Sequence, residues 1–336
     1  MYEKIVVIFF IANIPILFFY DFINKRIKLY DYNDGRRKFQ KNPVPLIGGL
    51  LLIYNILLFI LLDYQIDFEK SIYEYFSNTR EYFAFFIGLI FCFLLGLYDD
   101  KFNLGANKKI LINFFIILLI ILIDENLVIK ELSFTFLENP IDLRNVSYFF
   151  TILCFLLFIN ALNMFDGMNL QVGTYCILIF SIFIFKNSYV VLSFIIILSL
   201  IFFLFYNFSN KAFLGDNGTQ ILGFLISYII IKSYKFDNIL RPEEIFIFLA
   251  LPGLDMFRLF LVRIMNGKNP FAPDLNHIHH LLIRKYNKNI AYLLIQTFII
   301  FHIILYYLIE SKIIVLSIVI IFYLIFLLFS KKHLVK

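Results

Sequence analysis

The residues that could do chemistry lie in five short polar segments, which separate long apolar stretches of this chain. The segments cover residues 42–49, 97–101, 160–167, 213–218 and 273–280. Carboxylates and histidines are costly at membrane depth and usually mark function there. The segments fall at alternate junctions between apolar stretches. In a chain that crosses a membrane repeatedly, they would therefore lie on one side and could form a single site.

Asp99 and Asp100 are adjacent carboxylates at the end of the third apolar stretch. Neighbouring side chains on a helix point about 100° apart, because the helix has about 3.6 residues per turn. The pair therefore favours two separate roles. One carboxylate could hold Mg²⁺, which prefers one or two carboxylates plus substrate phosphates, and the other could orient or deprotonate a nucleophile. The alternative is a solvated helix end beside Lys101.

Asp166 and Asp216 lie in similar surroundings, since each is followed by a glycine directly or one residue later. Glycine lets the backbone approach a ligand, and amides exposed at a turn suit phosphate oxygens. Nearby asparagines could be simple helix caps; they are Asn160, Asn163 and Asn169. Several carboxylates on one side without matching bases fit a bound cation better than salt bridges.

His277, His279 and His280 form a tight cluster that could bind Zn²⁺ or phosphate. Membrane zinc proteases carry a glutamate between or beside the histidines, and this run has none. Hydrogen bonding to a diphosphate, or acid catalysis toward a leaving group, is therefore the better interpretation.

The composition predicts an integral membrane protein, because 61% of the residues are hydrophobic and the mean hydropathy is +0.85. A spanning helix needs about 20 apolar residues. By this measure there are about eleven spans, at 4–22, 44–62, 82–98, 110–123, 147–161, 171–185, 189–206, 219–231, 245–262, 290–309 and 313–329. The runs are continuous and not alternating, which excludes a closed barrel. We expect an all-α bundle, with residues 1–336 as one domain.

Lysine and arginine predict the orientation of this bundle. Seven of them lie between residues 25 and 41 and five between residues 263 and 288. The junctions that alternate with these are richer in acidic residues. The positive-inside rule then predicts a cytoplasmic C-terminus, an external N-terminus and all five polar segments in the cytoplasm. This topology explains the formal charge of +6 without a nucleic-acid partner.

Taken together, the five segments resemble the motifs of the polyprenyl-phosphate N-acetylhexosamine-1-phosphate transferases. This is glycosyltransferase family 4, the superfamily of WecA, TagO and MraY. The resemblance covers nearly the whole chain and depends on five motifs in the right order at alternate junctions. The run at 270–274, before the histidines, is more similar to the WecA-like branch than to the MraY branch.

This resemblance implies an enzyme of the bacterial cytoplasmic membrane. It would transfer a sugar 1-phosphate from a UDP-N-acetylhexosamine to undecaprenyl phosphate and release UMP, with Mg²⁺ required and Mn²⁺ a possible substitute. UDP-N-acetylglucosamine or a derivative is the expected donor. The product would start a cell-envelope glycan, such as a lipopolysaccharide O-antigen, a teichoic-acid-like polymer or a capsule. The expected partners are these two substrates and the lipid bilayer, with a homodimer left open.

The resemblance also implies roles for individual residues. The expected metal ligands are Asp216, Asp99 and Asp166. The expected catalytic residues are Asp99, Asp100, Asp166 and His279. The expected substrate-binding residues are Asn160, Asn163, Asn169, His277 and His280. Three positions depart from the family pattern, because Asn169, Asn103 and Leu275 replace two acids and an arginine found in many relatives.

Several alternatives remain at this point. A peptidoglycan enzyme acting on UDP-MurNAc-pentapeptide is less favoured by the histidine region. A metal- or proton-coupled transporter would carry acids near the midplane and often inverted repeats, and neither is visible in the sequence. The substitutions at Asn103 and Asn169 also leave room for an inactive homologue. Direct attack by the lipid phosphate and a covalent aspartyl intermediate both remain open.

Overall fold

The computed structural model describes residues 2–32, 42–63, 75–235, 239–272 and 274–331, and helices dominate these ranges. The helices are α1 (Tyr2–Phe18), α2 (Tyr20–Ile27), α3 (Gly48–Asp63), α4 (Thr79–Phe102), α5 (Ala106–Ile123), α6 (Ser147–Phe165), α7 (Gln171–Phe185), α8 (Val190–Phe208), α9 (Gly215–Lys235), α10 (Pro242–Met265), α11 (Ile278–Lys285), α12 (Lys288–Leu308) and α13 (Lys312–Lys331). Two short antiparallel pairs join β1 (Tyr30–Asp31) to β2 (Val44–Pro45) and β3 (Glu131–Leu132) to β4 (Ile141–Asp142).

The prediction of an all-α polytopic membrane protein is confirmed. Each predicted span overlaps a helix, but the count of eleven is not confirmed. Among the described residues, seven helices are long and apolar enough to cross a membrane. An eighth span results if α1 and α2, bent by 72°, count as one. Pro273 and parts of the charged junctions used to predict orientation, at 36–41 and 67–74, lie outside the described residues.

Helix α9 forms the centre of the bundle. Every residue from Asn217 to Tyr234 is buried, and the helix packs mainly against α4 and α6, with α3 on a further side. A helix surrounded by protein does not need a lipid-compatible surface. This explains why α9 carries polar residues at both ends and is not among the seven helices that are long and apolar enough to cross a membrane.

Glycines allow two neighbouring helices to approach the first turn of α9 closely. A Cβ atom on Gly96 of α4 would lie 2.5 Å from the Cα of Asn217, and one on Gly49 of α3 would overlap the Asn217 side chain. The amide of Gly49 also donates a hydrogen bond of 3.2 Å to the carbonyl of Leu214. Small residues at such contacts let helix backbones pack tightly within a membrane.

A buried ion-pair network fixes the opposite end of α9. The ammonium group of Lys232 lies 2.8 Å from Glu81 Oε1 at the start of α4 and 2.9 Å from Asp124 Oδ2 just after α5. All three side chains are about 2% exposed. Removing one partner of a buried pair costs on the order of 3–5 kcal/mol. The central helix is therefore anchored at both of its ends.

The substitution Gly96→Ala is expected to destabilise the bundle by about 1–3 kcal/mol, since the added methyl group meets backbone atoms of α9 and forces the helices apart. The midpoint of thermal unfolding in detergent should fall. Gly105→Ala is the matched control, because nothing lies within 4 Å of a Cβ at Gly105. Equal midpoints for the two variants would contradict the close packing of α4 on α9.

Candidate active site

Three charged side chains from different helices meet where α9 begins. Asp99 lies in the last turn of α4, Lys109 in the first turn of α5, and Asp216 in the first turn of α9. The Nζ atom of Lys109 is 2.5 Å from Asp99 Oδ2 and 2.6 Å from Asp216 Oδ1. The Asp99 side chain is 5% exposed and that of Asp216 is 32% exposed, so Asp216 is the more accessible to a ligand.

The turn between α4 and α5 holds Asp99 in place. Helix α4 ends at Asn103, which adopts a left-handed conformation with φ 51°. Asparagine tolerates this conformation better than most residues. The amide of Leu104 can then turn back and donate a hydrogen bond of 2.6 Å to Asp99 Oδ1. Asn103, which replaces an acid of the family pattern, thus forms the C-terminal cap of α4 in this structure.

Asp100 caps the N-terminus of α9. Its Oδ1 atom accepts a hydrogen bond of 2.8 Å from the amide of Asp216, and its Oδ2 atom accepts one of 2.9 Å from the amide of Asn217. The Asn217 side chain donates to the same Oδ2 atom. The first amides of a helix lack intrahelical partners, and a carboxylate there is stabilising. Asp100 therefore positions Asp216, while its predicted catalytic role stays a prediction.

Gly215 makes this cap possible. Its φ angle of +75° lies in the left-handed region, and a Cβ atom there would lie 2.8 Å from Asp100 Oδ2. Glycine adopts this conformation without steric cost.

Only one of the three predicted asparagines contacts the carboxylates within the described residues. Asn163 on α6 donates to Asp216 Oδ1 and to Thr219 Oγ1. Asn160 instead donates to a carbonyl of its own helix. Asn169 donates to Asn207 and Asn210 at the end of α8, both at 2.8 Å, so it braces that helix.

Asp166 follows α6 directly, and its carboxyl group makes no hydrogen bond to the described part of the chain, although its amide donates to the carbonyl of Asn163. Although part of the residue is exposed, the surrounding protein strips water from its carboxyl group. The charges of Asp216, Asp100 and Asp31 add to this effect and raise the pKa of Asp166 from its ordinary 3.8 to about 7. A bound cation would relieve this repulsion.

The histidine run packs beside Asp166. The rings of His277 and His279 are parallel with centroids 5.5 Å apart, and the ring of His280 lies 4.2 Å from that of His279. A Cβ atom on Gly167 would overlap His279 Nε2, so His279 lies directly against this turn. Burial, followed by the charge of neighbouring imidazoles, lowers the pKa of His279 well below its usual range and that of His280 to about 4.

Sequence reasoning missed two residues of this site, Lys109 and Asp255. Lys109 looks like an ordinary basic residue at a membrane boundary. Asp255 lies within the predicted span at 245–262, where an acid is costly. Its position within a span was the signal that could have identified it as a functional residue. In the structure its Oδ2 atom is 3.0 Å from His277 Nδ1.

The donor chemistry of the site fits Mg²⁺, although the described residues contain no ready-made group of three His, Cys, Asp or Glu ligands. Asp99 and Asp216 face each other across the Lys109 ammonium group, which marks the space between them as favourable for positive charge. Mg²⁺ commonly takes one or two carboxylates and completes its coordination with water and substrate phosphates. The predicted ligand set of Asp216, Asp99 and Asp166 stays a prediction.

The part of the chain that carries these residues matches a known protein family. Residues 82–234, which include Asp99, Lys109, Asp166 and Asp216, match the family model described as glycosyl transferase family 4. Over these residues the chain is similar to this family.

Curated relatives are similar to this chain over most of their length. It is 29% identical over 293 residues to a "Probable undecaprenyl-phosphate N-acetylglucosaminyl 1-phosphate transferase" of Bacillus subtilis (strain 168), covering 83% of this chain and 77% of the relative. It is 26% identical over 288 residues to the "Undecaprenyl-phosphate alpha-N-acetylglucosaminyl 1-phosphate transferase" of Escherichia coli (strain K12), covering 82% and 74%. The protein of that name from Yersinia pestis is 24% identical over 288 residues, covering 82% and 75%.

The substitution Asp166→Asn is expected to stabilise the protein at neutral pH in EDTA. Asp166 has its ordinary pKa of 3.8 when unfolded and a pKa of about 7 when folded. As pH rises between these values, the unfolded chain loses the proton first, so wild-type stability falls. The gain in unfolding midpoint of the variant should be absent near pH 4, grow to about pH 7 and then stay constant.

Asn169→Ala is the control for this experiment, because it removes a nearby side chain that carries no charge and bonds Asn207 and Asn210, so its effect on the unfolding midpoint should be the same at every pH. A difference between Asp166→Asn and wild type that is independent of pH would contradict the raised pKa.

Proposed function

We propose that this protein transfers N-acetylhexosamine 1-phosphate from a UDP-sugar, either UDP-N-acetylglucosamine or a derivative, to undecaprenyl phosphate. The observation that carries the proposal is the meeting of Asp99, Lys109 and Asp216 at one end of a membrane bundle. The names of the curated relatives, which are transferases of this kind, support it. The product would start a lipid-linked glycan of the cell envelope.

The site suits the charge changes of this reaction. A nucleophilic oxygen forms a bond to the β-phosphorus of the UDP-sugar, while the bond from that phosphorus to the bridging oxygen breaks. UMP leaves with the electron pair. Such phosphoryl transfer depends mainly on positioning and on neutralising phosphate charge. Lys109 supplies one positive charge, and Asn163 holds the Asp216 carboxylate in its orientation.

We propose Mg²⁺ as the cofactor, held by Asp216 together with Asp99 and Asp166. When bound, the ion would neutralise charge on the substrate diphosphate. The raised pKa of Asp166 supports a need for further positive charge, and so does the presence of one lysine, Lys109, among these carboxylates in the described part of the chain.

An apolar cavity along α5 suits the polyprenyl chain. It has a volume of about 540 Å³ and lies between α5, α6 and the segment after α10. Its lining consists of Asn107, Ile110, Leu111, Phe114, Leu156, Asn269, Pro270 and Phe271. The cavity reaches the first turn of α5, where Asn107 and Ile110 line it and where Lys109 also lies, so a prenyl chain in this cavity could present its phosphate to the charged residues. A lipid substrate must arrive laterally with its head group at the membrane surface.

The proposed location is the bacterial cytoplasmic membrane, with the site and the C-terminus facing the cytoplasm and the N-terminus outside. A UDP-sugar is supplied from the cytosol, and only a site at that membrane face can meet both substrates. The distribution of lysine and arginine supports this orientation.

Membranes containing the protein should release UMP when given undecaprenyl phosphate, Mg²⁺ and one member of a panel of UDP-N-acetylhexosamines. EDTA should abolish this release, because the phosphate charge is then not neutralised. Lys109→Met should reduce kcat about 100-fold, as expected for removal of a charge that stabilises the transition state.

Lys108→Met is the matched control, since Lys108 is the exposed neighbour of Lys109 and has no ion pair with the described residues. Its activity should equal that of wild type. Failure of the folded wild-type protein to release UMP with any sugar would overturn the proposed function.

The substitution Leu156→Trp should raise the KM for undecaprenyl phosphate about tenfold and leave the KM for the UDP-sugar unchanged, because the indole would occupy the apolar cavity. One tenfold step corresponds to about 1.4 kcal/mol of binding. The control is Leu157→Trp, whose side chain is 44% exposed on the same helix. A parallel rise in both KM values would argue against the cavity as the lipid site.

A further inference from the structure

Two fully buried amide side chains lie one helical turn deeper in the bundle than the charged layer formed by Asp99, Lys109 and Asp216. They are Asn113 of α5 and Gln220 of α9. Neither the amide oxygen nor the amide nitrogen of either side chain has a hydrogen-bond partner among the described residues. Unpaired polar groups at membrane depth are costly, so these four atoms need a partner.

The position of Asn113 on α5 directs its side chain toward α9. It follows Lys109, which contacts α9, by four residues, so the two lie on one helix face about 6 Å apart along the axis. Ile120 lies further along the same face and also points to α9, because a Cβ atom on Gly88 of α4 would meet Ile120 and Phe224 together. Asn113 therefore lies between two points at which α5 reaches α9.

Gln220 has the matching position on α9. It lies one turn after Asp216 and one turn before Phe224, whose ring stacks on that of Phe155 of α6 at a centroid distance of 6.3 Å. Helices α5 and α9 each pack against both α4 and α6. They consequently face each other across the space between α4 and α6, and Gln220 faces into this space.

Cys92 of α4 borders the same space. It lies one turn from Gly88 and one turn from Gly96, and a Cβ atom on either glycine would meet α9, at Phe224 and at Asn217 respectively. Cys92 is fully buried at the level between these two contacts. Its thiol is therefore a natural probe of whatever the two amides bind.

Water is the ligand that this set of donors and acceptors fits. Each amide offers two N–H donors and one carbonyl acceptor. A cation would engage the oxygens and leave every N–H unpaired, and an anion would leave both oxygens unpaired. A water molecule both donates and accepts, and buried water typically makes about three hydrogen bonds to polar groups that lack protein partners.

We propose that Asn113 and Gln220 bind internal water directly beneath the charged layer. The Lys109 ammonium group has three N–H donors, and the structure pairs it with two carboxylates, Asp99 and Asp216. A buried ion pair is stable only where further hydrogen bonds satisfy the remaining donors and lone pairs. Internal water at this place solvates the charged layer from the membrane side, while the ring of Phe224 closes the site from below.

The first test is X-ray radiolytic footprinting of the full-length protein, because radicals formed from bound water oxidise a thiol beside it. Cys92 should be oxidised in wild type despite its burial. The oxidation rate should fall several-fold in a double variant with Asn113→Leu and Gln220→Met, whose apolar side chains offer water no partner. Cys176, a fully buried thiol on α7, is the internal reference and should react equally in both proteins. Equal Cys92 rates in both proteins would overturn the proposal.

The second test is a double-mutant cycle on the midpoint of thermal unfolding. Asn113→Leu and Gln220→Met should each lower the midpoint, because each leaves the other amide short of a partner. The double variant should lose less than the sum of the two shifts. Additive shifts would overturn a shared ligand.

Asn55→Leu provides the matched control for the cycle. Asn55 is a fully buried asparagine of α3 that accepts a hydrogen bond of 2.7 Å from Asn13 Nδ2, and it shares no hydrogen-bond partner with Gln220 among the described residues. Its shift should add to that of Gln220→Met.

A structure of the wild-type protein, at a resolution that shows ordered water, decides the matter if the variants do not fold. It should show density within hydrogen-bond distance of both amides. A direct hydrogen bond between Asn113 and Gln220, with no water beside it, would overturn the proposal. None of these measurements needs a substrate, so an inactive protein would overturn the proposed function and leave the water site in place.

Discussion

The cap that Asp100 places on the first turn of α9 is the contact on which the site depends. Asp216 lies in that turn, so its position follows from the cap and from the close approach of α3 and α4 at their glycines. Lys109 can contact both Asp99 and Asp216 only because the first turn of α9 lies next to the end of α4 and the start of α5. The Lys232 network at the other end prevents the central helix from sliding along its axis.

The carboxylates are held together against their mutual repulsion. Among the described residues, one lysine, Lys109, pairs with Asp99 and Asp216, and the carboxyl group of Asp166 has no hydrogen bond there. Folding energy is therefore spent on a site that is unfavourable without further positive charge, as is common for functional sites. The histidine run is arranged differently, because Asp255, which contacts His277, is itself balanced by Arg258.

Much of the fold and part of the site could be predicted from the sequence. Continuous apolar runs indicate helices because a membrane leaves no other way to satisfy the backbone, and alternate junctions must share a side. Asp99, Asp216 and Asn163 were accordingly expected together and do lie together. Asn169 was expected with them but braces α8 instead, since a position near an aspartate in sequence does not determine which way its side chain points.

The sequence by itself determined the membrane class, the helical architecture, the family resemblance and the set of polar residues available for chemistry. These follow from composition and local order, which need no knowledge of which helices touch. Only the tertiary structure decided that Asp100 caps α9, that Lys109 lies between two carboxylates and that Asp255 holds His277. Each of these contacts joins residues from different helices, and no pattern along a single segment specifies which helix faces will meet.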